Sequence, residues 1–182
     1  MKKIFLVIIV MFLVTGCVLF QTKTSPTRSV ESFFGKYQSL DNTILNQLDD
    51  VVLDEDLTTT QKDDYKTLMK KQYQNLSYVV KDEVVDGNNA IVTVEIEVYD
   101  FTKSQTDIED YIAENRAEFE DEEGVFSQEK YMDYKLGILK DETDKVKYTL
   151  DLRLTKNDKG EWQLEDLTDI ERQKIHGVYA TT

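Results

Sequence analysis

The stretch that most restricts the fold is residues 90–99, Ala-Ile-Val-Thr-Val-Glu-Ile-Glu-Val-Tyr. Ala90, Val92, Val94, Ile96 and Val98 fall on one side of an extended chain; Thr93, Glu95, Glu97 and Tyr99 fall on the other. Side chains alternate across a strand with period two, so this is a strand with one buried face and one largely polar face. Such a strand belongs to an antiparallel sheet covered on one side, and the rest of the chain has to supply the cover.

Its neighbours follow the same rule. Upstream, Tyr78, Val80 and Val84 alternate with Lys81 and Glu83, and Asp86-Gly87-Asn88-Asn89 is a hairpin turn signal. Downstream, Val146, Tyr148, Leu150, Leu152 and Leu154 alternate with polar residues, Asn157-Asp158-Lys159-Gly160 turns the chain, and Trp162 and Leu164 return on the core face. Four strands in two hairpins result.

The cover lies N-terminal. Val30, Phe33, Phe34 and Tyr37 recur at helical spacing from Ser29 onward. Residues 39–41 interrupt, with Asp41 placed to cap a second helix carrying Ile44, Leu45, Leu48, Val51 and Val52. Thr58 and Gln61 form a capping-box pattern ahead of a third helix with Tyr65, Leu68, Met69, Tyr73 and Leu76 on one side. Between the hairpins, residues 103–141 read as a charged helical insert. Ile108, Tyr111, Ile112, Asn115 and Phe119 form a narrow stripe, Gly124 is the expected break, and Ser127 caps a helix with Tyr131, Tyr134, Ile138 and Leu139. The insert either caps the mouth of the domain or packs on the outer sheet face. Thr168 and Glu171 form a last capping box before a short helix with Ile170 and Ile175, ended by Gly177.

The N-terminus is of another kind. Lys2 and Lys3 precede an apolar run at residues 4–14, within the length of a secretory h-region and too short to span a bilayer. Val14, Thr15, Gly16 and Cys17 follow, an aliphatic residue and two small ones before the only cysteine of the chain. This resembles the lipobox of bacterial lipoprotein precursors. The resemblance implies cleavage between Gly16 and Cys17 and a diacylglycerol on the Cys17 thiol. It places the protein on the extracytoplasmic face of a cell membrane. Val18, Leu19 and Phe20 prolong the apolar run to 17 residues, so an uncleaved membrane anchor is the alternative. One acyl chain anchors marginally and two or more anchor stably, which suits a diacylglycerol.

The expected organisation is therefore a signal peptide at 1–16, the lipidated Cys17 and a tether through residue 27 holding the only proline, Pro26, and one domain at 28–182. Removing residues 1–16 takes away two lysines and leaves 166 residues with net charge −16, from −14 in the full chain. A domain of that length buries a sizeable core without disulfides. Nucleic-acid binding is disfavoured, since phosphate contacts need clustered Lys and Arg.

The fold class is α+β, with N-terminal helices packed on a curved four-stranded antiparallel sheet and the helical insertion between its hairpins. Residues 30–37, 65–76, 90–101 and 146–164 together are similar in layout to the cystatin-like group, in particular the nuclear-transport-factor-two-like cone, and to small Gram-positive lipoproteins built on it. Enzymes on that cone typically hold an acid–base pair deep inside. Here His176, the only histidine, stands beside a helix-ending glycine, the setting of a packing or dipole-facing residue. No Gly-x-Ser-x-Gly occurs, Cys and His are not clustered as soft metals require, and no run matches a calcium loop. The acids at 118–123 read as a solvated helix face. Asp82 and Asp100 sit on strand positions, either at the rim of the cone or as strand ends facing water.

The expectation is a non-enzymatic binding module for a small molecule, a peptide or an envelope protein, with no cofactor beyond the lipid. An open pocket lined by aromatic residues would support the small-molecule version. A cone filled by Phe33, Phe34, Tyr37 and Trp162 would count against it. The alternatives are an accessory lipoprotein of an envelope complex, acting through residues 103–141, and a small isomerase, cyclase or hydrolase.

Overall fold

A computed structural model describes residues 25–53 and 56–180. Gly16 and Cys17, with the proposed cleavage and lipidation, lie outside the described residues. Helix α1 (Pro26–Gln38) begins three residues before Ser29, so Pro26 and Thr27 belong to the helix rather than to a tether. Ser25 caps it, its hydroxyl accepting the Arg28 N–H at 3.2 Å. Pro26 at the first helical position loses no hydrogen bond there and has a preset φ. The helix closes through Leu40 at φ 52°, with the Leu40 N–H returned to Tyr37 O and the Asp41 N–H to Lys36 O. The Asp41 carboxylate then accepts the Thr43 N–H at 2.9 Å and starts α2 (Asn42–Leu53). The Thr58–Gln61 capping box opens α3 (Thr59–Asn75) as expected.

The sheet runs β1 (Ser77–Asp86), β2 (Asn89–Tyr99), β3 (Lys145–Lys156) and β4 (Trp162–Leu164), in that spatial order and antiparallel throughout. Ala90 faces Leu154, Val92 faces Leu152, Val94 faces Leu150 and Ile96 faces Tyr148, and all eight are buried. Burying each aliphatic side chain contributes about 1.5–3 kcal/mol, so this double row fixes the register. β1 departs from expectation. Val80 faces Val94 but Asp82 faces Thr93, leaving Lys81 as a bulge. One extra residue reverses the alternation, so Val84 lies opposite Ile91 on the outer face, 57% exposed, instead of in the core.

Val30, Phe34 and Tyr37 of α1, Met69 and Tyr73 of α3 with Leu76 just after it, and Ile175 of α6 (Asp169–His176) join the inner face of the sheet in the main core. Helix α2 packs on α1 and α3 rather than on the sheet. The insert corrects two expectations. Its first helix, α4 (Phe101–Glu114), starts before residue 103, because the Asp100 carboxylate caps it through the Thr102 and Lys103 N–H groups. It ends at Asn115, not Gly124: the Asn115 amide bonds Tyr111 O at 2.9 Å, competing with the backbone for it. Phe119 follows on a separate 3₁₀ turn, and Gly124, at φ 78°, turns the chain between Glu120 and Phe126. Helix α5 (Gln128–Asp141) then runs back, capped by Ser127.

Leu136 and Leu139 of α5 and Phe101 and Ile108 of α4 form a second core with Leu68 of α3. Helix α3 thus has two buried faces, Met69 and Tyr73 toward the sheet side and Leu68 toward the insert. The insert neither caps a mouth nor covers the outer sheet face; it is a third layer on α3. Among the described residues no helix is long and apolar enough to cross a membrane.

Candidate functional site

Because α2 stands off the sheet, an open cleft of about 650 Å³ remains between α1, α2, α3, α6 and the loop at residues 165–167. No residue of β1, β2 or β3 lines it. The space between helices and sheet, where a cone would hold a ligand, is filled by core side chains: Phe34 stacks on Tyr78 at 4.8 Å, and Trp162 packs against the same core. Of the four aromatics expected to line or fill a pocket, Phe33 and Tyr37 line this one, and Phe34 and Trp162 do not. A second depression beside Leu152 and Glu171 offers only about 10 Å³, too small for a ligand.

Each wall follows from helix geometry. Phe33, Lys36 and Tyr37 are spaced three and four apart on α1, which puts them on one face. On α2, Ile44 and Leu48 form the buried part and Gln47 and Val51 the rim. Tyr65 and Tyr73 come from α3, and Leu164 and Leu167 from the strand end and loop that lead into α6. Aromatic rings meet edge to face along the wall, Phe33 to Tyr37 at 5.1 Å and Tyr37 to Tyr73 at 4.9 Å between centroids.

The floor is polar. Tyr73 Oη and His176 Nε2 lie 3.2 Å apart. Burial pushes the Tyr73 hydroxyl up, reinforced by the neighbouring Tyr37 and Tyr65, so it stays protonated. Burial holds His176 below the ordinary value of 6.5, and the Arg172 guanidinium adds to this. The pair is then a neutral phenol–imidazole hydrogen bond at neutral pH. No carboxylate bonds His176 among the described residues. Arg172, one turn earlier on α6, is anchored by Asp169 Oδ1 at 2.6 Å and by Leu167 O.

His176 is where the sequence placed it, on the last turn before Gly177, but it also reaches a cavity that the sequence did not show. Asp82 is an exposed residue directly after the bulge, and its carboxylate accepts the Glu83 N–H. Asp100 is a helix cap, and neither lines the cleft. Gln47, Leu167 and Arg172 escaped sequence reasoning, and Tyr65 and Tyr73 read only as a core face. The one available signal was Arg172 four residues before His176, a shared face at the end of a capped helix. Among the described residues no three potential metal ligands gather.

No known family matches the chain, and no curated protein matches it. One solved structure is similar in fold: YcdA from Bacillus subtilis subsp. subtilis str. 168, a protein provisionally described as a lipoprotein. The match has 16% identity and a TM-score of 0.49, and it covers 88% of this chain and 58% of YcdA.

Proposed function

We propose that this chain is a lipid-anchored extracytoplasmic module that binds a small molecule in the cleft between α1, α2, α3 and α6, without catalysis. The observation that carries the reading is the cleft itself: about 650 Å³, walled by aromatic and aliphatic side chains, rimmed by polar and charged ones, and floored by one neutral polar pair. Ligand sites have this size and this mixture of apolar walls with a few fixed polar groups. The anchor rests on Val14-Thr15-Gly16-Cys17 behind its apolar run. Helices on one face of an antiparallel sheet support the cystatin-like reading of the layout.

Val51→Trp provides the test, because Val51 is half exposed on α2 and lines the cleft without belonging to either core. Native mass spectrometry of the lipidated, detergent-solubilised protein is expected to show a bound small molecule that V51W lacks, at unchanged melting temperature. A wild-type protein free of adducts and unshifted by a small-molecule panel would refute the reading. Cys17→Ser is expected to move the protein out of the membrane fraction and to abolish fatty-acid labelling.

A further inference from the structure

The geometry points to an organic cation with an apolar body, of the alkyl- or arylammonium class, as the ligand of this cleft; the inference rests on the binding reading above. Four aromatic side chains, Phe33, Tyr37, Tyr65 and Tyr73, contribute to its walls. The faces of such rings are electron-rich and attract cations, most strongly where water is excluded. Tyr37 and Tyr73 are buried among apolar neighbours, which is that setting.

The charges at the mouth point the same way. Two cationic side chains line it: Arg172, tied to Asp169 and to Leu167 O, and Lys36, which makes no ion pair among the described residues. Glu165 and Asp166, which line the same cleft, make no ion pair and no side-chain hydrogen bond among the described residues. The mouth therefore carries two unpaired carboxylates against one unpaired ammonium, an excess of one negative charge. An anionic ligand meets that excess as a like charge; a cation offsets it. The net charge, −14 for the full chain and −16 without residues 1–16, gives the whole molecule a field that draws cations in and repels anions. The neutral phenol–imidazole pair below adds no positive charge and is able to accept a hydrogen bond from a ligand hydroxyl or ammonium N–H.

Three matched probes test this on the full lipidated protein in detergent, by titration at low ionic strength. They are para-trimethylammonio-benzyl alcohol, its neutral isostere para-tert-butylbenzyl alcohol, and the anion para-tert-butylbenzoate. The cation is expected to bind about fivefold or more tighter than the isostere, which is the worth of one cation–π contact, and to weaken as salt is added. The double variant Glu165→Gln, Asp166→Asn is expected to erase about half of that advantage on a logarithmic scale and to leave the isostere unchanged, which separates lost charge from lost fold. Equal or tighter binding of the isostere or the anion overturns the cation inference and leaves the binding module standing. Failure of all three probes to bind at millimolar concentration, together with a wild-type protein free of adducts, overturns both.

Discussion

Among the described residues, Gly177 should be the least replaceable glycine. It ends α6 at φ 73°, and its carbonyl accepts the Phe101 N–H at 2.9 Å. A Cβ added there would stand 2.1 Å from Tyr99 O and 2.5 Å from Gln72 Nε2. Those two atoms belong to one clasp. β1 begins at Ser77, opposite Glu97, so the backbone of Tyr99 has no β1 residue beside it. The fully buried Gln72 takes that place, its Oε1 accepting the Tyr99 N–H at 3.0 Å and its Nε2 donating to Tyr99 O at 3.2 Å. Gly177→Ala first costs about 1–2 kcal/mol for left-handed backbone in a residue with a Cβ. The overlap is with backbone, so the end of α6 must move away, and the buried amide loses partners at about 1–3 kcal/mol. Together that is about 2–5 kcal/mol, or roughly 10 °C in Tm for a domain of this size. Urea unfolding of G177A beside Gly87→Ala is the assay, since Gly87 has a similar φ of 59° with nothing within 4 Å of its Cβ position. G87A is expected to lose only the backbone share, about 1–2 kcal/mol. Equal losses at the two sites would refute the argument from close approach. His176 directly precedes Gly177, so G177A should also weaken ligand binding in the cleft.

The remaining predictions concern pH and the insert. His176 has a folded pKa below 6.5, so above 6.5 both states are neutral, and as pH falls below 6.5 the unfolded chain takes up a proton that the folded chain resists. Stability therefore drops from 6.5 downward to the folded value, and His176→Gln should flatten the Tm profile over that window; an unchanged slope would count against the buried neutral imidazole. Asp41 and Glu95 are held low, by the Thr43 N–H and by Lys81 respectively, so their contribution is lost in a more acid window, below their ordinary values of 3.8 and 4.5. Leu136→Ala, in the second core, is expected to cost about 2–4 kcal/mol in urea unfolding, because α5 is part of one folding unit with α3. A loss below about 1 kcal/mol would make the insert a detachable appendage; otherwise deletion of residues 103–141 is expected to bare Leu68 and aggregate the domain.

The sheet was legible because its evidence is local. Alternation at residues 90–99 and 146–154, turn residues at 87 and 160, and caps at Thr58, Ser127 and Thr168 each involve groups within a few positions of one another, so periodicity and turn chemistry determined them. The bulge at Lys81 was not legible, since the residues of β1 read equally well without it; pairing with β2 decides where the extra residue goes, and that moves Val84 to the surface. The pattern offers Gly124 rather than Asn115 as the helix end, because a side chain competing for Tyr111 O leaves no mark in the apolar pattern.

What only the tertiary structure decided is the site. Helical spacing reports that Tyr37, Tyr65 and Tyr73 share an apolar environment, and a filled core and a cleft wall satisfy that pattern alike. The difference lies in α2, which leans on α1 and α3 instead of the sheet and leaves room beside them. It lies equally in α6, which brings His176 back across 103 positions of sequence to the hydroxyl of Tyr73. The sequence determined which faces must be buried, because burial is a property of each element. Which buried faces meet, and where they fail to close, depends on the packing of all of them together.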